Sequence, residues 1–490
     1  MSGLDASHTI RIGPPVASSA MAVRVASAPS GVRTARSSAL GGLRFGMILG
    51  IIGAHAVIGV ASALSSVAAT LYGAAVVVTA VIVILGSSTP SRVLAATAYA
   101  GVCDAFWRMT DARVPWELSK YLVAFGAVMV LLRFVRSWRG ALLPLVTIAL
   151  LLPGILASAL DEGIGFARDN ASSYEMGVIS FALAALAFRH VIATKDEAWT
   201  LSWVILGPLI ATLSATSYFV LTTPDIEFGS ESNFAVTGGY GPNQISSAMG
   251  LIMVICLLAA FLPHARRFWP ILAGLGVWAM WATFLTFSRG GIYSFALAGA
   301  AMALIGIGSR GSRLRTLLIA VAAVIGIVTV FSAANDFTGN WLDTRYSDSQ
   351  TAGRSTIAEM DLAVFGSHPI TGVGTGRAPE FRTQDRLGEA GAHTEFTRLL
   401  AEHGVFGIGV LAMMAAILVQ GYRRSLSYWN RLMVAALSMW SLSTMLHAAT
   451  RISAVGLMLA LTQVRVADDD QQAVEPDITR QPRAQSVRPR

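Results

Sequence analysis

Arg289 is the single charge in the 41 residues from Phe268 to Gly308, within Phe287-Ser288-Arg289-Gly290-Gly291. An uncharged run of that length holds two bilayer crossings, so Arg289 stands where the chain reverses at a membrane–water boundary. The paired glycines permit a tight turn with open backbone N–H groups, and a guanidinium beside such donors makes an anion site. Snorkelling to a lipid phosphate is the plainer explanation of the same residue. A second arginine, Arg354 in Ala352-Gly353-Arg354-Ser355, falls at the expected start of a helix, where the dipole and free N–H groups favour an anion. Two guanidiniums can grip a pyrophosphate bidentately, which two lysines do less well.

His393, in Gly391-Ala392-His393-Thr394-Glu395-Phe396, is the candidate base. An imidazole of ordinary pKa can take a proton from an attacking hydroxyl near neutrality, although a histidine at a helix start also serves as a cap. Gly238-Gly239-Tyr240-Gly241-Pro242-Asn243-Gln244 places a rigid turn before a span and brings two carboxamides, Asn243 and Gln244, to the same face; capping alone would also explain Asn243. Arg377, Arg382 and Arg386 lie among acids and read as loop ion pairs or headgroup contacts, with Arg377 kept as a substrate-binding candidate. Glu395 and Glu402 are possible helpers, equally explained by a helix-start acid and an ion pair with Arg398. His368 precedes Pro369 and reads as conformational, and His403 and His447 carry less weight.

The composition says what must position these residues. In 490 residues, 54% are hydrophobic and 13% charged, about half the roughly 25% charged of soluble domains. Mean hydropathy is +0.60. The chain reads as an all-α polytopic membrane protein of about 12–14 transmembrane helices. Spans are expected near 45–65, 69–86, 93–107, 119–135, 140–160, 176–190, 199–221, 244–262, 268–287, 290–308, 315–333, 404–420, 431–447 and 452–464. With both termini in the cytoplasm, the inside segments carry 24 basic and 8 acidic residues and the outside 12 and 20, closing on the chain's 36 and 28. That asymmetry follows the positive-inside rule. It makes the isoelectric point near 9.9 a topogenic signal, so no nucleic-acid partner is needed. Cys103 and Cys256, both in apolar stretches, exclude a disulfide scaffold or a cysteine metal cluster.

The expected organisation is a disordered cytoplasmic tail over 1–44, about eleven helices over 45–333, an extracytoplasmic loop over 334–393, further helices over 394–466, and a cytoplasmic tail over 467–490. A sixty-residue loop in a compact protein is functional or disordered. Trp341, Tyr346, Phe365 and Phe381, with a helical apolar pattern over Thr356–Phe365, make this one a folded cap.

Taken in order, GPNQ at 241–244, FSRGG at 287–291, GRS at 353–355, SHPITGVGTG at 367–376 and AHTEFTRLLAEHGVFGIGVL at 392–411 resemble the bacterial O-antigen ligase and O-antigen polymerase superfamily of membrane glycosyltransferases. The resemblance covers roughly 240–411, while the first 200 residues match only as generic spans. It implies a GT-C-like helical architecture in the bacterial cytoplasmic (inner) membrane, with an extracytoplasmic active site. The implied donor is a glycan on undecaprenyl pyrophosphate, passed to a glycan or lipid acceptor in surface polysaccharide biosynthesis. On this resemblance Arg289 and Arg354 hold the pyrophosphate and His393 activates the acceptor. Thr394 departs from the Asn found after the His in many relatives, which touches the acceptor contacts.

A sugar–phosphate bond already carries a good leaving group, so orientation and arginine charge can suffice. The outer segments hold no Asp-x-Asp pair of the kind a metal-dependent nucleotide-sugar transferase needs. The expectation is metal-independent transfer with no cofactor, in contact with membrane lipids. Two other readings compete. A transferase using a polyprenyl monophosphate sugar would depend on an early outside acid, Asp104 or Asp111, though Arg108 and Arg113 are ready salt-bridge partners. A flippase for lipid-linked oligosaccharide would place charge or broken helices near the midplane, whereas the spans are nearly free of internal charge and polar residues gather at one face.

Overall fold

The computed structural model describes residues 45–224, 226–309, 311–347, 354–382 and 394–467, with the side chain of Arg354 left aside. Residues 1–44 and 468–490, His393 and Arg386 lie outside the described residues.

Each expected span coincides with a helix. In chain order these are α1 (Phe45–Leu64), α2 (Ser66–Gly86), α3 (Pro90–Val102), the short α4 (Asp104–Met109), α5 (Leu118–Phe134), α6 (Leu142–Ala149), α7 (Leu152–Glu162) and α8 (Ile164–Asn170). A π-helical turn, Ala171–Glu175, joins α8 to α9 (Met176–Phe188). Then follow α10 (Lys195–Thr222), α11 (Pro242–Ala259), α12 (Ala265–Leu285), α13 (Gly290–Gly308) and α14 (Arg313–Phe337). The loop region carries α15 (Trp341–Ser347), α16 (Arg354–Ser367) and a 3-10 turn, Ala378–Phe381. The chain continues as α17 (Glu395–His403), α18 (Val405–Arg423), α19 (Tyr428–Met445) and α20 (Ser453–Leu461).

Local sequence sets many of these ends. Thr194 and Glu197 close a reciprocal capping box on α10, Ser65 and Ser427 cap α2 and α19, and prolines open α3 and α11, where a missing N–H costs nothing.

Among the described residues, ten helical segments are long and apolar enough to cross a membrane, with α6–α7 and α8–α9 each counted as one. The other four expected spans are α3, α5, α19 and α20. They fail on length or polarity, and burial is the reason. All nine residues of α20 are buried, as are most of α3 and α19. A helix walled off by other helices needs neither full bilayer length nor an apolar surface. Conversely α14, whose apolar window is only 11% buried, must be apolar all round.

The segments sort into two ends. At one, the basic loops meet: Arg133 donates to the carbonyls of Ile84, Leu85 and Ser87, Arg189 to Gly140, and Arg424 to Arg189. These arginines satisfy carbonyls left open where helices end. The same end holds a two-residue parallel pairing of Ile192–Ala193 with Arg465–Val466. At the other end the acidic segments gather around the turns that carry the candidate site. The loop after α14 begins later than expected, since α14 runs on to Phe337. Its described part is folded, with Thr356–Phe365 inside α16 and a small core of Val364, Val373, Ala378 and Ala401 against Phe381.

Candidate active site at the helix ends

The 241–244 and 287–291 motifs pack directly against each other. Ser288 Oγ donates to Asn243 Oδ1 at 2.8 Å, Ser246 Oγ donates to the Ser288 carbonyl at 3.0 Å, and Gly291 N–H donates to Ser246 Oγ at 2.9 Å. The glycines therefore do something other than expose N–H groups. A Cβ on Gly291 would lie 2.1 Å from the Ser246 carbonyl oxygen, and one on Gly290 2.2 Å from His447 Nε2. They are glycines because two neighbours must come that close, and the Gly291 N–H is consumed in doing so. Asn243 is likewise more than a cap: its carboxamide reaches Ser288, and its carbonyl accepts from Ser247 Oγ at 2.7 Å. Gln244 is buried and folds back over Gly241.

Arg289 is half-buried at the start of α13. The residue two before it, Phe287, has φ +54°, a strained value for a bulky side chain. What holds it is Arg345 of α15, which is buried. Its Nε donates to the Phe287 carbonyl at 3.0 Å and its Nη1 to the Ser230 carbonyl at 2.7 Å. Asn233 N–H adds a bond to the Thr286 carbonyl at 2.9 Å. Burial pushes the neighbouring Tyr346 hydroxyl well above its ordinary pKa, while the positive charges of Arg289 and Arg345 act in the opposite direction. Arg345→Met removes two buried donors and is expected to cost about 1–3 kcal/mol, read as a lower apparent melting temperature. It should also raise the donor KM as the Arg289 turn loosens.

His447 and Thr450, in the turn after α19, join the pieces. His447 Nε2 lies 2.9 Å from Ser247 Oγ, and Thr450 Oγ1 donates to Glu395 Oε1 at 3.0 Å. At the end of the same turn, Ser453 N–H donates to Asp104 Oδ2 at 2.9 Å. The start of α17, two residues beyond His393, is thereby docked on the turn that also touches Gly290. Thr394 caps α17 through Phe396 N–H at 3.2 Å. Arg354 opens α16, as its glycine and serine neighbours suggest, and α16 packs on α17 through Asp361, which accepts from Thr397 Oγ1 at 3.0 Å.

The remaining candidates are engaged elsewhere. Arg377 pairs with Asp161, with Glu162 at 3.4 Å and with Glu380 at 3.1 Å, a loop ion-pair network. Arg382 and Asp361 form a buried pair at 2.8 Å. Glu395 accepts from Arg398 Nη2 at 2.7 Å. Asp104, one of the two acids of the monophosphate reading, is buried and bound by Arg108 Nε at 2.9 Å. Asp111 is exposed. Glu175, Glu402 and His403 bring three potential ligand atoms within 4.8 Å of one another. Arg398 Nη1 already sits 2.8 Å from Glu175 Oε1 and 2.6 Å from Glu402 Oε2. Arg345 is a positioning residue that the sequence did not bring forward, although a basic residue in a segment expected outside is the same signal that marked Arg289.

A helical bundle with ten described segments long and apolar enough to cross a bilayer is a polytopic membrane protein, and its candidate polar site lies at one set of helix ends. Residues 274–412 match the family model described as O-Antigen ligase. This segment includes Arg289, Arg354, Arg377, His393 and Glu395, and supports the chain's place in the O-antigen ligase superfamily. It supports a glycosyltransferase-type role in membrane glycan transfer for surface polysaccharide biosynthesis, with lipid-linked glycan substrates. No curated protein and no solved structure matches the chain.

Proposed function

We propose that this protein transfers or polymerises glycan from an undecaprenyl-pyrophosphate carrier onto an acceptor hydroxyl, at the outer face of the cytoplasmic membrane, as a GT-C-like enzyme with both termini inside. The charge asymmetry between the two ends supports that orientation. The acceptor oxygen bonds to the sugar C1 as the C1–O(phosphate) bond breaks, and that electron pair stays on the departing pyrophosphate. His393 takes the acceptor proton. Arg289 and Arg354 receive the developing negative charge, an electrostatic role that requires no metal. Asn243 and Gln244 shape the same turn. Arg377 and Glu395, given their ion pairs, hold the cap and the start of α17.

The observation that carries the reading is the convergence on the 447–453 turn. It ties the start of α13 just after Arg289, the start of α11 that carries Asn243, and the helix that starts just after His393 into one group. The test is transfer by the purified chain in detergent, with undecaprenyl-pyrophosphate oligosaccharide as donor and EDTA present. Activity should survive EDTA and fall about 10²–10⁴-fold in His393→Ala; product length then separates polymerase from ligase. Unchanged transfer in His393→Ala would remove the base assignment, and loss with EDTA would remove metal independence.

A further inference from the structure

Trp116 is a prominent feature of this end of the bundle that the proposed chemistry leaves unused. It is 61% exposed, yet it is fixed in place. Its carbonyl accepts from Arg108 Nη2 at 2.9 Å, and the Arg108 guanidinium lies over its ring, 4.4 Å from the centroid. Tyr240 meets the indole edge-on at 6.3 Å between centroids, and its hydroxyl accepts from Arg108 Nη1 at 3.2 Å. Arg108 has little freedom, since its side chain is 6% exposed and held by Asp104 at 2.9 Å, with Glu117 at 3.8 Å.

A tryptophan that serves only as an interfacial anchor works by partitioning its ring among headgroups, and needs no buried cation stacked beneath it. Here Arg108 covers one face of the indole and sets its orientation, so the exposed area is the opposite face and the rim. A preset aromatic face costs little entropy to use. It suits a ligand that is flat, apolar on one side through its C–H bonds, and rimmed by hydroxyls. That ligand is a pyranose ring. The position fits as well, because Tyr240 lies three residues before Asn243, whose carboxamide bonds Ser288 beside Arg289.

We propose that Trp116, with Tyr240 and Arg108, forms a stacking platform for a sugar ring of the lipid-linked glycan, next to the transfer site. This rests on the reading of that site as a glycan transferase. The test uses the full chain in detergent and two probes: the undecaprenyl-pyrophosphate oligosaccharide, and the free oligosaccharide released from it by mild acid. Saturation-transfer NMR reads binding of the free glycan without turnover, and transfer kinetics read the donor KM. Trp116→Ala and Trp116→Leu should each raise KM about tenfold and abolish the NMR signal, while Trp116→Phe keeps most of both. Leucine retains an apolar anchor without an aromatic face. Wild-type behaviour in the Leu variant would therefore overturn the platform in favour of membrane anchoring, as would wild-type binding in the Ala variant. If the Ala variant aggregates, the Leu and Phe pair decides alone. Trp116-dependent glycan binding by a wild-type chain that transfers nothing would instead remove the transferase reading and leave the platform standing.

Discussion

Arg289→Ala is expected to lower transfer by about 10²–10³-fold, the usual loss when one preorganised charge-stabilising donor is removed. The guanidinium is the only charge between α12 and the far end of α13, and its turn is fixed from three directions. Arg345 holds the Phe287 carbonyl, Asn243 and Ser246 hold Ser288, and Ser246 holds Gly291. A turn held this firmly presents its cation with little backbone reorganisation, and on the proposed mechanism that is the source of the large factor. Arg289→Lys should recover only part of the rate, because charge remains while the bidentate fork is lost. Single-turnover transfer at saturating donor measures both. If the alanine variant turns over like wild type, Arg289 contacts lipid headgroups and has no part in the chemistry.

Arg398→Met should produce the largest loss of stability. Arg398 lies within 2.6–2.8 Å of Glu175, Glu395 and Glu402, and every member of the group is nearly solvent-free. Burial works against the Arg398 charge, but the three carboxylates overcome it and raise its pKa well above the ordinary value. Methionine leaves those carboxylates without their cation, at a cost of about 3–5 kcal/mol, visible as a collapse of the apparent melting temperature in detergent.

Glu402→Gln should act in the opposite sense. Burial, reinforced by Glu175 and opposed by Arg398, pushes the Glu402 carboxyl up to about 7. An acid whose folded pKa lies above its unfolded value binds its proton more tightly when folded. Its contribution is intact below the unfolded value, erodes as pH rises toward about 7, and is flat beyond. The glutamine variant, which has no such slope, should melt like wild type near pH 5 and above it near pH 8. A parallel pair of melting curves across that range would show that Glu402 does not titrate there.

The span pattern was legible because the bilayer imposes it residue by residue. An apolar run, a capping serine or threonine and a basic loop are all local signals. Arg289 stood out for the same reason, as a charge in the wrong medium. What the sequence hid depends on distant partners. Arg398 and Glu175 are 223 positions apart, and nothing near Glu175 announces the pairing. The 289–291 turn was placed correctly but misread in detail: paired glycines look the same whether they open N–H groups or admit Ser246 and His447. The burial of α20 was invisible too, since a nine-residue apolar stretch reads as a short span until its neighbours are known. Trp116 carried no signal of its own, because what fixes it is Arg108 of α4 stacked under the ring.

The turn at 447–453 has a consequence for biogenesis. Its bonds reach back to Asp104, Ser247 and Glu395, so segments made early and midway through synthesis are clasped only once residues 447–453 have emerged. A nascent chain inserted only as far as α18 would lack the 447–453 contacts to Ser247, Gly290 and Glu395. On the proposed function, a chain without these contacts would be unable to discharge its donor, and competence would switch on abruptly with the arrival of α19 and α20.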